Sequence, residues 1–159
     1  MYRIGQEEIE AVARVIKSRN LFRVNDVNCE VDNFEKELAE KIGTKYALCL
    51  SGGTAALISS LVGLGIGPGD EVIIPGYTFM ATAIAVLAVG AIPVIVDIDD
   101  SLTIDPEDIE RKISAYTKAI IPVHIVGFPC NMEKIIEIAK RHNLKVVEDA
   151  CQADGGSYK

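Results

Sequence analysis

The sequence predicts an α/β fold in three layers, a mostly parallel β-sheet covered by helices on both faces (α/β/α). Three apolar runs lack polar alternation, as expected of strands buried on both faces, and they lie at Val72–Pro75, Ile92–Val96 and Ala119–Val123. Segments of helical length separate these runs, and strand–helix–strand order is typical of parallel sheets. With 159 residues and 49% hydrophobic side chains, the chain is expected to form one compact domain.

The first elements are two amphipathic helices and a strand. Apolar residues recur at helical spacing over Gln6–Arg19 and Val31–Ile42, and Gly43 is suited to end the second helix. The run YALCL at Tyr46–Leu50 then predicts the first strand, followed by a helix through Leu64.

Glycine and proline mark the remaining boundaries. The segment GIGPGD at 65–70 is typical of a turn, and it precedes the strand at 72–75. The later predicted elements are a helix at Thr78–Val89, the strand at Ile92–Val96, a helix from Pro106, the strand at Ala119–Val123, a helix at about Met132–His142 and a last strand at Lys145–Asp149.

Charge and hydropathy exclude two classes of partner. The 16 basic and 23 acidic residues leave a net charge of −7, and no continuous basic stripe is present, so nucleic acid is not expected to bind. The uncharged stretch 72–96 has the length of a membrane span, but Pro75, Gly76, Gly90 and Pro93 interrupt it and its flanks are acidic. No membrane association is therefore expected.

The four cysteines are scattered and form no C-x-x-C pair. No signal peptide is apparent, which predicts reduced thiols in a cytoplasmic protein. Cys49 and Cys130 lie among apolar residues, where small buried side chains are more common than nucleophiles. No cysteine is therefore assigned a catalytic role, and no metal site is predicted.

Segments that follow strands in the sequence carry the candidate chemistry, because ligands of parallel sheets bind outside the carboxyl ends of the strands. Gly52 and Gly53 open a predicted helix, so free N–H groups, with the Thr54 hydroxyl, could bind a phosphate. An ordinary glycine turn with a helix cap explains these residues equally well. Tyr77 and Phe79 could stack on a planar ligand, although core packing is the more common role of such aromatics.

Asp149 is the more informative residue, since a carboxylate at the end of a buried strand needs a cationic or strongly donating partner. A protonated ring nitrogen of a ligand would be such a partner. Glu148 points to the opposite side of an extended strand, and Gln152 could return toward the ligand if the chain curls. A phosphate site, an aromatic plate and this carboxylate together describe a pocket for pyridoxal 5'-phosphate.

Several motifs in order resemble the DegT/StrS-type sugar aminotransferases, which are fold-type-I enzymes dependent on pyridoxal phosphate. The matching segments are GGTAAL, GIGPGDEVIIPGYTFMATA, GAIPVIVDID, TKAIIPVHIVG and NLKVVEDACQADGGSYK. The resemblance implies that Gly53 and Thr54 bind the phosphate, Phe79 stacks on the ring, Asp149 pairs with the ring nitrogen and Gln152 contacts the hydroxyl side of the ring. His124 is either a support for Asp149 or a packed histidine.

The resemblance also implies an activity and an assembly. Family members transfer an amino group, commonly from glutamate, to nucleotide-linked keto sugars or keto-cyclitols in polysaccharide or deoxyamino-sugar biosynthesis, and they form homodimers. The Schiff-base lysine of the family follows the EDACQA motif in a serine-rich segment outside this sequence, and Lys159 does not match it.

Residues 1–159 are therefore expected to be the N-terminal part of the large domain, without the rest of that domain or the small C-terminal domain. A fragment of this kind is expected to be inactive alone. Two alternatives stay open: a sugar dehydratase of the same family, with histidine in place of the lysine, and a non-catalytic binding module from a truncated or split gene.

Overall fold

The computed structural model describes residues 4–21 and 29–158, and their contacts group the chain into two compact units, 1–49 and 50–159. The sequence predicted one compact domain, whereas these contacts divide the chain into two units. Lys159, compared above with the family's lysines, lies outside the described residues.

The first unit contains the two predicted amphipathic helices, α1 at Gln6–Ser18 and α2 at Glu30–Ile42. Gly43 ends α2 with a positive φ of 80°, a conformation that glycine adopts without a Cβ penalty. The prediction of a strand at Tyr46–Leu50 is wrong, because these residues pair with no strand among those described. The N–H of Cys49 instead donates to the carboxylate of Glu35 at 2.6 Å, so a side chain replaces the strand partner. Cys49 is half-buried rather than buried.

The second unit is built on a parallel four-stranded sheet. The strands are β1 at Glu71–Pro75, β2 at Ile92–Val96, β3 at Thr117–Ile120 and β4 at Lys145–Val146. They lie in the order β2–β1–β3–β4. The final predicted strand is regular over two residues only, but Asp149 still pairs with Val123 in an isolated parallel bridge.

Helices cover both faces of this sheet, as predicted. The helices are α3 at Gly53–Gly63, α4 at Ala81–Ala88, α5 at Pro106–Lys112 and α6 at Met132–Arg141, and a 3-10 turn spans Ile125–Gly127. Alternate residues of β1 enter different cores, because successive side chains of a strand point to opposite faces. Val72 and Ile74 pack in the core that contains residues of α3 and α4, and Ile73 packs in the core that contains residues of α5 and α6.

Buried Cys130 belongs to the second core, as expected for a structural thiol. Within residues 4–21 and 29–158, no helix combines the length and the apolar character that crossing a membrane requires.

Candidate functional site

A cavity of about 240 Å³ lies beside the end of the sheet where Val123 pairs with Asp149. All five residues that the sequence analysis assigned to a cofactor contribute to its wall. Gly53 and Thr54 begin α3, Phe79 lies between β1 and α4, and Asp149 and Gln152 follow β4. The cavity is lined by Gly53, Thr54, Leu57, Phe79, Ala81, Val123, Asp149, Cys151 and Gln152.

The amino end of α3 forms one part of the cavity wall. The N-cap residue is Gly52, so no side chain caps this helix end, and the first regular helical bond runs from the Ala56 N–H to the Gly52 carbonyl at 3.0 Å. The N–H groups of the first turn and the positive end of the helix dipole are therefore suited to bind an anion. The hydroxyl of Thr54 adds a further donor on the same wall.

The two glycines at this helix end have different steric surroundings. A Cβ added to Gly53 would lie 3.0 Å from the Cys151 Sγ atom, whereas a Cβ added to Gly52 would meet no atom within 4 Å. Gly52 also has an extended backbone, with a φ of 171°, that any residue adopts. The close approach of the helix start to the 149–152 segment thus favours glycine at position 53 and makes no such demand at position 52.

This difference predicts unequal effects of two alanine substitutions. Gly53→Ala must displace the Cys151 side chain within the cavity, and we expect it to weaken binding of a phosphate-bearing ligand by roughly tenfold. Gly52→Ala is the matched control and should change affinity less than about twofold. Isothermal titration calorimetry with pyridoxamine 5'-phosphate provides the comparison. Equal losses in the two variants would contradict the steric explanation.

Asp149 supplies the charge of the site. Its side chain is 8% exposed, and among the described lining residues it is the one with an ionisable carboxylate. Main-chain bonds hold it at the sheet edge, with its N–H donating to the Pro122 carbonyl at 2.9 Å and its carbonyl accepting from the His124 N–H at 3.1 Å. None of the described ion pairs includes Asp149. A ligand that carries a positive or donating group would therefore satisfy a buried carboxylate.

Two donors from the protein fix the plane of this carboxylate. The Thr82 hydroxyl donates to Oδ2 at 3.3 Å, and the Cys151 N–H donates to Oδ1 at 3.2 Å. Thr82 is fully buried, in the first turn of α4. The sequence analysis missed this residue. The available signal was a pair of hydroxyl residues, Thr78 and Thr82, spaced by four in an otherwise apolar helix start.

His124 does not support Asp149 through its side chain, so the packed-histidine alternative describes it better. Its Nε2 atom lies 3.1 Å from the Glu148 carboxylate, and its Nδ1 atom accepts the Cys130 N–H at 3.1 Å. Because Nδ1 is an acceptor, the neutral ring carries its proton on Nε2 and donates it to Glu148. Glu148 is thus bonded away from the cavity, as its opposite direction along the strand predicted.

Phe79 and Gln152 present groups that could contact a planar ligand. Phe79 is 69% exposed, so its ring is free of the core, while Tyr77 does not line the cavity. The Oε1 atom of Gln152 accepts the Val126 N–H at 2.6 Å. With its oxygen engaged in this way, the amide nitrogen of Gln152 is the part available to donate to a ligand.

The Cys151 thiol is held in its protonated form. Its hydrogen bond to the Asp149 carboxylate, together with burial and the charges of Asp149 and Asp154, raises the pKa of Cys151 from 9.0 to about 11. Such a rise lowers the thiolate fraction near neutral pH by about 100-fold. Cys151 is therefore suited to packing against the helix start and not to nucleophilic attack.

Alkylation of Cys151 should report this coupling. We expect iodoacetamide to modify the Cys151 peptide slowly at pH 8, with a rate that keeps rising toward pH 11, because the thiolate is the reactive form. Asp149→Asn removes the carboxylate charge and should move the pH profile of the rate to lower pH. Mass spectrometry of the digested protein measures both. The same pH profile in the variant and the wild type would refute the coupling.

Comparison with known proteins identifies the family. The model of the DegT/DnrJ/EryC1/StrS aminotransferase family matches residues 2–159. The GDP-perosamine synthase of Caulobacter vibrioides is 45% identical over 137 residues, which cover 86% of this chain and 37% of that protein. The dTDP-3-amino-3,4,6-trideoxy-alpha-D-glucose transaminase of Streptomyces venezuelae is 43% identical over 150 residues, covering 94% of this chain and 38% of that protein.

A solved structure agrees with this assignment. A Bacillus subtilis protein crystallised with bound cofactor PMP superposes with a TM-score of 0.86 at 39% sequence identity, over 97% of this chain and 36% of that chain. The chain thus spans less than two fifths of the length of the two curated relatives above. With a family match over nearly every residue, the chain belongs to the DegT/DnrJ/EryC1/StrS aminotransferase family.

Proposed function

We propose that the cavity binds pyridoxal 5'-phosphate and that the chain contributes this site to an aminotransferase acting on nucleotide-linked keto sugars or keto-cyclitols. The observation that carries the proposal is the convergence of two complementary groups on one small cavity. The amino end of α3 favours an anion, and the buried carboxylate of Asp149 favours a cation or a strong donor.

The residues present fit this cofactor. Its phosphate is suited to the uncapped helix end at Gly53 and Thr54, and its protonated pyridine nitrogen is suited to Asp149. The exposed ring of Phe79 offers a stacking surface, and the free amide nitrogen of Gln152 offers a donor for the ring hydroxyl. The Bacillus subtilis protein with bound PMP supports the same group here, because the two folds agree over 97% of this chain.

The roles of the chain's residues follow from this placement. Pyridoxal phosphate, when bound, supplies the electron sink that stabilises negative charge next to the amino group being transferred. Asp149 holds a proton on the ring nitrogen, which keeps that sink effective. The helix end of α3 anchors the phosphate, and Phe79 restricts the tilt of the ring. Asp149 is the catalytic residue of the set, since it contacts the cofactor at the atom whose protonation controls the chemistry.

The names of the relatives support the substrate class. One is a GDP-perosamine synthase and the other a dTDP-amino-sugar transaminase, so a sugar carried on a nucleotide is the shared feature. We further propose glutamate as amino donor, a cytoplasmic homodimer as the working form, and residues 1–159 as one part of a larger cofactor-binding domain, in agreement with the 37–38% coverage of these relatives.

The activity is tested by supplying the full-length gene product with pyridoxal phosphate, glutamate and a panel of nucleotide-linked keto sugars. We expect an amino sugar and 2-oxoglutarate to form in equal amounts, detected by mass spectrometry. Loss of the product's amine when glutamate is omitted is the control for donor identity. Release of water from the sugar without incorporation of nitrogen would instead indicate the dehydratase alternative and overturn the aminotransferase proposal.

A further inference from the structure

A short series of hydroxyl groups, from the bend before α4 to the first turn of that helix, ends on Asp149. Thr78 Oγ1 lies 2.8 Å from Thr82 Oγ1, and Thr82 Oγ1 lies 3.3 Å from Asp149 Oδ2. Thr82 is fully buried, and Thr78 is half-buried. Thr82 lies in the first turn of α4, and Thr78 lies in the bend just before the helix.

The direction of donation along these hydrogen bonds follows from the number of protons that each group carries. An ionised carboxylate accepts only, so the Thr82 hydroxyl must donate to Asp149. That donation uses the single proton of Thr82, and therefore Thr78 donates to the Thr82 oxygen. Each bond in such a series polarises the next, so the Thr78 donation makes the Thr82 hydroxyl a stronger donor to the carboxylate, across a bond that is long at 3.3 Å.

This arrangement is well placed to orient the carboxylate before any ligand arrives. Oδ1 is held by the Cys151 N–H and Oδ2 by Thr82, so one donor on each oxygen restricts rotation of the carboxylate plane. The Thr82 N–H also bonds the Phe79 carbonyl at 3.1 Å. The same turn therefore carries both the stacking ring and the hydroxyl that orients the carboxylate.

We propose that Thr82, supported by Thr78, is a positioning residue that fixes the Asp149 carboxylate for its bond to the protonated ring nitrogen of the cofactor. The inference rests on the proposed function, because it assumes a ligand with such a nitrogen. Thr82 does not line the cavity, so its effect on a ligand acts through Asp149. Loss of its hydroxyl should weaken the interaction at the ring nitrogen alone.

Two variants and two ligands separate this role from simple packing. Thr82→Val keeps the shape and removes the hydroxyl, while Thr82→Ser keeps the hydroxyl. Pyridoxamine 5'-phosphate has the ring nitrogen, and its 1-deaza analogue has a C–H group in that place. Thr103→Val is the control for replacing a buried threonine, because Thr103 is 2% exposed and does not line the cavity.

We expect Thr82→Val to weaken binding of pyridoxamine 5'-phosphate about tenfold, as for the loss of a hydrogen bond to a charged group. Binding of the 1-deaza analogue should be unchanged, Thr82→Ser should stay within about twofold of wild type, and Thr78→Val should have the smaller effect. The 15N chemical shift of the bound ring nitrogen should move toward its unprotonated value in Thr82→Val only.

Other outcomes would overturn either the inference or the proposed function. Equal weakening for both ligands, or an equal loss in Thr82→Ser, would assign Thr82 to packing and overturn the inference. Unchanged binding in Thr82→Val, with binding lost in Asp149→Asn, would overturn the inference and leave the proposed function intact. Failure of the wild-type protein to bind pyridoxamine 5'-phosphate would overturn the proposed function itself.

Discussion

Asp149→Asn should weaken binding of pyridoxamine 5'-phosphate by about 100-fold, since the variant removes the charge from a buried ionic hydrogen bond. The carboxylate is 8% exposed and takes part in none of the described ion pairs, so we expect the ligand to supply its counter-charge. Pyridoxamine 5'-phosphate is the appropriate probe because its binding needs no covalent bond to a lysine. Fluorescence titration or calorimetry measures the affinity.

The neighbouring carboxylate provides a matched control for this prediction. Glu148 precedes Asp149 in the chain, its side chain is 54% exposed, and it bonds to His124. Glu148→Gln removes the same charge at almost the same place but should change affinity less than about threefold, as expected for an exposed group. Both variants must melt within a few degrees of wild type. Equal losses in the two would show that net charge, and not the contact to the ring nitrogen, controls binding.

Ile73→Ala should lower the free energy of unfolding by about 2–5 kcal/mol, the usual cost of truncating a fully buried isoleucine. Ile73 lies in the middle of β1, is 0% exposed and joins β1 to the core beneath α5 and α6. The cavity left behind would be surrounded by the sheet and the helices, which cannot collapse into it easily. Urea unfolding followed by circular dichroism provides the measurement.

Ile95→Ala is the control on the adjacent strand. Ile95 lies in β2, pairs in register with Ile74 of β1 and is 59% exposed, so the same truncation removes much less buried surface. We expect a loss below about 1 kcal/mol. A larger loss at position 95 than at position 73 would contradict the placement of the core in the second unit.

The second unit was predicted well because its signals are local and agree with one another. Uncharged runs such as Val72–Pro75 predict buried strands, and the helices between them are bounded by glycine, proline and capping residues. The Asp105 side chain, for example, accepts the Glu107 N–H at 2.8 Å just before Pro106 begins α5. Local patterns of this kind predict where each strand and helix begins. The alternation of strands and helices then predicts the three-layer arrangement.

The errors came from contacts between distant residues. Tyr46–Leu50 has the composition of a strand, but a strand needs a neighbour to complete its hydrogen bonds, and composition carries no information about that neighbour. The N–H of Cys49 bonds to Glu35 instead, 14 residues earlier. Thr82 was missed for the same reason, since its partner Asp149 is 67 residues away.

The sequence predicted which residues share one cavity wall, but not how their side chains and those of their neighbours are directed. Phe79 follows β1, and Asp149 and Gln152 follow β4, so parallel topology brings these three residues to one end of the sheet. Gly53 and Thr54 begin α3, whose start lines the same cavity although no strand precedes it among the described residues. The direction of each side chain could not be read from sequence. The ring of His124 turns to Glu148 and away from the cavity, a choice set by the Cys130 N–H that its Nδ1 atom accepts.

A crystal structure of the protein with pyridoxamine 5'-phosphate tests the central claim most directly. We expect the ring nitrogen to lie about 2.7–3.2 Å from a carboxylate oxygen of Asp149, within ordinary hydrogen-bond range. The phosphate should accept the N–H groups of Gly53 and Thr54 at the start of α3. A phosphate bound away from this helix end, or a ring nitrogen directed at any group other than Asp149, would contradict the account.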